Sequence, residues 1–113
     1  MRNPLVLLND ILQAIQNIDE YTKNCNFKEF KSNTMLRDAV IRNIEIIGEA
    51  SRSLPIPFKT KHAHIQWRYI IAMRNLVAHE YFGIDLSEVW QVIQKEIPAL
   101  KIDIEEIVQT LDK

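Results

Sequence analysis

Glycine is scarce in this chain of 113 residues, with only Gly48 and Gly83. A loop that cradles phosphate needs several glycines whose backbone can approach the ligand. Neither a P-loop nor a dinucleotide-binding glycine fingerprint can therefore be built here. Cysteine is scarcer still: Cys25 stands alone. That excludes an internal disulfide and any zinc site made of several cysteines, and it is compatible with a reducing compartment. Long apolar runs are missing too. Leu5 to Leu8 is too short for a signal-peptide core, and no window approaches the roughly 20 apolar residues of a membrane span. The chain reads as soluble and cytoplasmic. Its 47% hydrophobic and 26% charged residues are an ordinary globular mixture, so one folded domain over residues 1–113 is expected.

Acidic residues are absent from one long window. Residues 1–49 carry six Lys/Arg and seven Asp/Glu, and residues 80–113 carry three and eight. Between them, residues 50–79 hold Arg52, Lys59, Lys61, Arg68 and Arg74 and no acid, together with all three histidines. Such a window suits contact with phosphate. The alternative is that these cations pair with acids on neighbouring helices.

What is present is helical periodicity. Asn3 followed by Pro4 is an N-cap with proline at the first helical position, and Leu5, Leu8, Leu12, Ile15 and Ile18 recur at three- and four-residue intervals. A helix over 4–23 follows. A short turn over 26–31 would bury Phe27 and Phe30. Ser32 or Asn33 then caps a helix over 34–53, with the stripe Leu36, Val40, Ile44, Ile47 and Ser51. Pro55 and Pro57 end it and open a linker to about Ile65. A helix over 66–81 is broken by Gly83. Asp85 with Glu88 starts the next, and Pro98 either kinks it or opens a new helix that runs through Leu111. The expected fold is all-α, an up-and-down four-helix bundle with one extra short helix.

The densest reactive chemistry lies in Met73 to Tyr81. With about 100° per residue, Ile70, Val77, Met73 and Trp67 define an apolar arc, and Arg74 and Tyr81 fall inside it. A guanidinium on such an arc must snorkel, pair, or face something other than bulk water. Asn75 and His79 are four apart on the opposite side, where the amide can orient the imidazole.

Arg74, His79 and Tyr81 match an Arg, four residues, His, one residue, Tyr pattern. In this the segment resembles the motif of the HEPN superfamily. Arg42 to Ala50, Pro55-Ile56-Pro57, Ile65-Gln66-Trp67 and Tyr81 to Asp85 extend the likeness over nearly the whole chain. It points to the HepT-like branch, ribonuclease toxins paired with a minimal nucleotidyltransferase antitoxin. Gln66 departs from the proline often found before the tryptophan. The resemblance implies a HEPN fold, a homodimer with its site between subunits, and metal-independent cleavage of RNA. It also implies AMP transfer from the nucleotidyltransferase onto Tyr81 as the means of neutralisation. Arg74 and His79 would be catalytic, with Asn75 and Glu49 in support. No cofactor is called for. The alternatives are a non-catalytic nucleotide- or RNA-binding module, and a structural partner that masks a nucleotidyltransferase.

Other candidates are weaker. His62 and His64 lack a third ligand at diagnostic spacing, so no metal site is expected. Glu45 and Glu49 share a helix without any Glu-x-x-His, which leaves a diiron site unsupported. Their ordinary role is pairing with Arg42 or with a base of the motif helix. Trp67 and Trp90 read as core, and Cys25 as an inert loop thiol.

Overall fold

The computed structural model describes residues 3–78 and 85–111, with the backbone alone described for 75–78. Every regular element among them is helical. These are α1 (Pro4–Thr22), α2 (Phe27–Ser32), α3 (Thr34–Ser53), α4 (Ile56–Lys61), α5 (Trp67–Ala78), α6 (Leu86–Gln91) and α7 (Ile97–Leu111). A π-helical turn, Val92–Glu96, joins α6 to α7.

Local chemistry sets the starts. Asn3 Oδ1 accepts from the Leu5 N–H at 2.8 Å, Asn26 Oδ1 from Glu29 at 2.9 Å, and Asn33 Oδ1 from Leu36 at 3.0 Å. Each satisfies an N–H that the first turn leaves orphaned. Of the two caps offered by the sequence for α3, Asn33 is therefore the one used.

α1, α3, α5 and α7 are the long helices, and α1 packs on α3. Leu7 and Asp10, early in α1, share a cleft with Ala50 and Ser53, late in α3. Asn17 Nδ2, late in α1, donates to Asn43 Oδ1, early in α3, at 3.0 Å. The two helices are thus antiparallel. α5 packs on α3, and α7 lies against α1, where Lys101 Nζ stands 3.6 Å from Asp19 Oδ2. Between them they bury Leu8, Ile11, Ile15, Ile18, Val40, Ile44, Ile47, Ile97 and Ile104 almost completely. Each such side chain contributes roughly 1.5–3 kcal/mol by leaving water.

The short helices α2 and α6 pack together at one end. Phe30 is fully buried and its ring centroid lies 5.3 Å from that of Trp90; Phe27, half-buried, lies 6.2 Å from the same ring. Trp67 is buried with its indole N–H donating to the His62 carbonyl at 3.1 Å. Both tryptophans thus pack rather than stand free.

One expectation changes, and one choice left open is decided. The stretch after Pro55 is not wholly a linker, because Ile56–Lys61 forms a turn and a half of helix. Its proline, Pro57, sits in the first turn, where the missing N–H costs nothing. At Pro98 the kink or new helix offered by the sequence takes the form of a π-helical turn leading into α7, which begins at Ile97. The preceding turn widens to π geometry, with the Ile97 N–H reaching the Val92 carbonyl, which makes room for the pyrrolidine ring that an α turn would force against the carbonyl four residues back. The break expected at Gly83 falls outside the described residues.

Candidate active site

α3 and α5 meet at Gly48 and Arg74. A Cβ placed on Gly48 would stand 2.7 Å from the Arg74 Cβ, closer than real side chains come. The bare backbone of Gly48 is thus a seat into which the root of the arginine side chain fits. Ile70 and Met73, buried on the same helix, hold α5 down on the core.

The tip of Arg74 is set by its neighbour one residue along α3. Arg74 Nε donates to Glu49 Oε1, and the two side chains are 36% and 50% exposed. Of the three fates open to a guanidinium on an apolar arc, pairing is the one realised within the chain. At this exposure the pair is worth about 0–1 kcal/mol. Its effect is orientation more than stability: it fixes a planar fork at the surface beside α3, with N–H groups still open to solvent. Glu49 also lines a cleft of about 290 Å³ between α1 and α3, along with Leu7, Arg42, Glu45 and Ala50. The sequence left two partners open for Glu49, and the base of the motif helix is the one it meets.

Gly48 was legible only as part of a signature. A lone glycine inside a helix costs about 1 kcal/mol against alanine, and that cost was the available sign that something approaches closely there. Asn75 lies in α5, whose described backbone ends at Ala78. His79 and Tyr81 lie outside the described residues.

His62 and His64 have ring centroids 6.2 Å apart, and the Phe58 ring lies 4.7 Å from His62. Burial lowers the His62 pKa first, helped by the charges of Lys61 and His64. Among the described residues no three His, Cys, Asp or Glu side chains gather as a metal would require. Burial, then Glu29, raises the Cys25 pKa, which reduces its thiolate fraction and its reactivity. Among the described residues no helix is long and apolar enough to cross a membrane.

Comparison with known proteins adds to this geometry. The chain is 43% identical over 94 residues, 83% of its length and 86% of the relative's, to a protein of Thermococcus cleftensis named probable ribonuclease HepT. It is 39% identical over 109 residues, covering 96% of this chain and 97% of the other, to a protein of Caldanaerobacter subterraneus named as a putative RNase. A protein of Methanocaldococcus jannaschii named gamma-glutamylcyclotransferase and putative RNase is 46% identical over 108 residues; these make up 96% of this chain but only 49% of that protein. This chain thus spans about half the length of that relative. No solved structure matches. The family described as Ribonuclease HepT-like matches residues 11–107, and the chain belongs to that family.

Proposed function

We propose that this protein is a metal-independent endoribonuclease, the toxin of a toxin–antitoxin pair. The observation that carries the proposal is Arg74, seated on Gly48 and oriented by Glu49, on the helix that leads into His79. RNA supplies its own nucleophile. The ribose 2′-oxygen attacks the adjacent phosphorus and the bond to the 5′-oxygen breaks, leaving a 2′,3′-cyclic phosphate and a 5′-hydroxyl. One proton must leave the 2′-hydroxyl and one must reach the departing 5′-oxygen. An imidazole can exchange such protons at neutral pH, and His79 would supply it. The Arg74 fork offsets charge on the phosphate in the transition state. Together they do the work a metal would otherwise do.

One imidazole cannot readily serve both oxygens at once. A homodimer supplies two, and the open side of the Arg74 fork would then face a cleft between subunits. Glu49 and Asn75 are positioning residues, for the guanidinium and the imidazole respectively. Neutralisation would come from a nucleotidyltransferase antitoxin. The Tyr81 phenol oxygen attacks the α-phosphorus of ATP, pyrophosphate leaves, and the attached AMP sets a phosphate and a base beside the catalytic pair.

The decisive experiment is cleavage of single-stranded RNA by the purified protein with a chelator present. Wild type cleaves and leaves cyclic-phosphate ends. Arg74→Ala and His79→Ala lose cleavage by a factor of about 10² or more while keeping helicity and a dimer mass in light scattering. Full activity in either variant refutes the assignment. A monomer cleaving at full rate refutes the two-histidine site.

A further inference from the structure

The acid-free window has a structural outcome that cleavage chemistry alone does not use. In the folded chain it gathers at one corner. Arg52 is on the last turn of α3, Lys59 and Lys61 are on α4, and Arg68 is on the first turn of α5. Lys59 Nζ donates to the Arg52 carbonyl at 3.3 Å, which ties α4 to the end of α3. Arg52, Lys61 and Arg68 are exposed. Among the described residues the ion pairs join Arg74 to Glu49 and Lys101 to Asp19, and no carboxylate meets Arg52, Lys59, Lys61 or Arg68. Pairing with acids on neighbouring helices, the alternative the sequence left open, is not what the fold does with these charges. Three cations face water, and the fourth, half-buried Lys59, is held by a backbone carbonyl.

A shallow, open apolar depression of about 410 Å³ lies here, lined by Ile56, Ala63, Ile65 and Trp67 and bordered by Lys59 and Arg68. Ile56 is 75% exposed there. An apolar patch with cationic borders matches a nucleotide, whose base is flat and apolar on its faces and whose phosphate is anionic. The corner is also close to Arg74. Arg68 precedes it by six residues, about 9 Å along α5 and about 120° around it. Arg52 lies one helical turn beyond Gly48, the arginine's seat.

We propose that this corner is an RNA-docking surface that holds the substrate strand beside Arg74, with Arg52, Lys59, Lys61 and Arg68 on successive phosphates and a base against Ile56. The proposal rests on RNA being the substrate, as in the reading above, but not on the chemistry of cleavage. It accounts for charge patterning that the catalytic pair leaves unexplained, and it makes binding depend on residues remote from the scissile bond.

The test uses the full chain and a single-stranded oligonucleotide of about 12 residues bearing 2′-O-methyl riboses, which binds but offers no nucleophile. Binding is followed by fluorescence anisotropy across salt concentrations. Lys59→Gln/Lys61→Gln/Arg68→Gln should weaken binding by about tenfold or more and flatten the salt dependence by about two units of slope, near 0.7 per lost cation. A control with the same net charge, Lys23→Gln/Lys28→Gln/Lys31→Gln, alters exposed lysines at the other end and should bind as wild type does. Circular dichroism verifies the fold, and Arg68→Glu alone serves if the triple variant is unstable. Equal binding by the triple variant and wild type, or equal loss in the control, overturns the proposal. So does a triple variant that keeps RNA but no longer co-purifies with the nucleotidyltransferase, which would make the corner a protein-docking surface. Loss of binding in the triple variant, alongside a wild type that cleaves nothing, would sustain the docking surface and fell the nuclease.

Discussion

At the scale of single residues, Gly48 decides where Arg74 can stand. Alanine is the better helix former by about 1 kcal/mol. Here its methyl would meet the Arg74 Cβ at 2.7 Å, and a Cβ is not the yielding end of a flexible chain. Overpacking of this kind costs about 1–3 kcal/mol. Gly48→Ala is therefore expected to lower stability by up to about 2 kcal/mol despite the propensity gain, as read by equilibrium urea unfolding. It should also slow RNA cleavage, because α5 must shift and carry the guanidinium away from Glu49. An alanine variant as stable and active as wild type would show that the helices part freely. None of this was available from spacing. The arc that contains Arg74 is visible in a helical wheel, whereas its seat belongs to a different helix.

At the scale of elements, α6 shows how much a cap contributes and at which pH. Asp85 Oδ1 accepts from the Ser87 N–H at 3.0 Å and from the Glu88 N–H at 3.3 Å. The Ser87 hydroxyl, then the Glu88 N–H, hold its pKa below the usual carboxylate value. A folded pKa below the unfolded one means stabilisation that is complete above about pH 4 and lost as pH falls through the folded value. Asp85→Asn keeps an acceptor but cannot titrate. Wild type should exceed it in thermal stability at pH 7, and the gap should close on acidification toward pH 2–3; a gap that is constant with pH would show that charge plays no part at this cap. Capping of this sort was legible because it is local: donor and acceptor lie within three residues. The π turn before Pro98 was not, since widening a turn and breaking a helix both answer the same steric clash, and packing of α7 on α1 selects the first.

At the scale of the whole molecule, one basic surface would serve substrate and inhibitor alike. AMP on Tyr81 would carry a phosphate, and an Arg74 fork that received an RNA phosphate would receive that one too. Co-expression with the partner nucleotidyltransferase is expected to add AMP at Tyr81, located by mass spectrometry of the digested protein. Tyr81→Phe should fold, cleave and escape neutralisation. Silencing that persists in the phenylalanine variant would mean control by masking. Burial on this scale has a further expected consequence. Ser51 is fully buried with its hydroxyl unpartnered, so Ser51→Ala should leave stability unchanged or slightly raised, by up to about 1 kcal/mol in chemical unfolding.

Sequence alone determined what depends on neighbours within about one turn of chain. The start of α1 follows from Asn3 and that of α3 from Ser32 or Asn33, the core faces from apolar spacing, and the order of Arg74, His79 and Tyr81 from the motif itself. Tertiary structure decided whatever required two helices in register. It seated Arg74 on Gly48, gave Glu49 to Arg74 instead of Arg42, folded part of the expected linker into α4, and left the cations of that corner without acids. The physical reason is the same in each case. Helical periodicity specifies which face of a helix is apolar, but not its axial offset against the helix it packs on, and ion pairs and close backbone approaches are set by that offset.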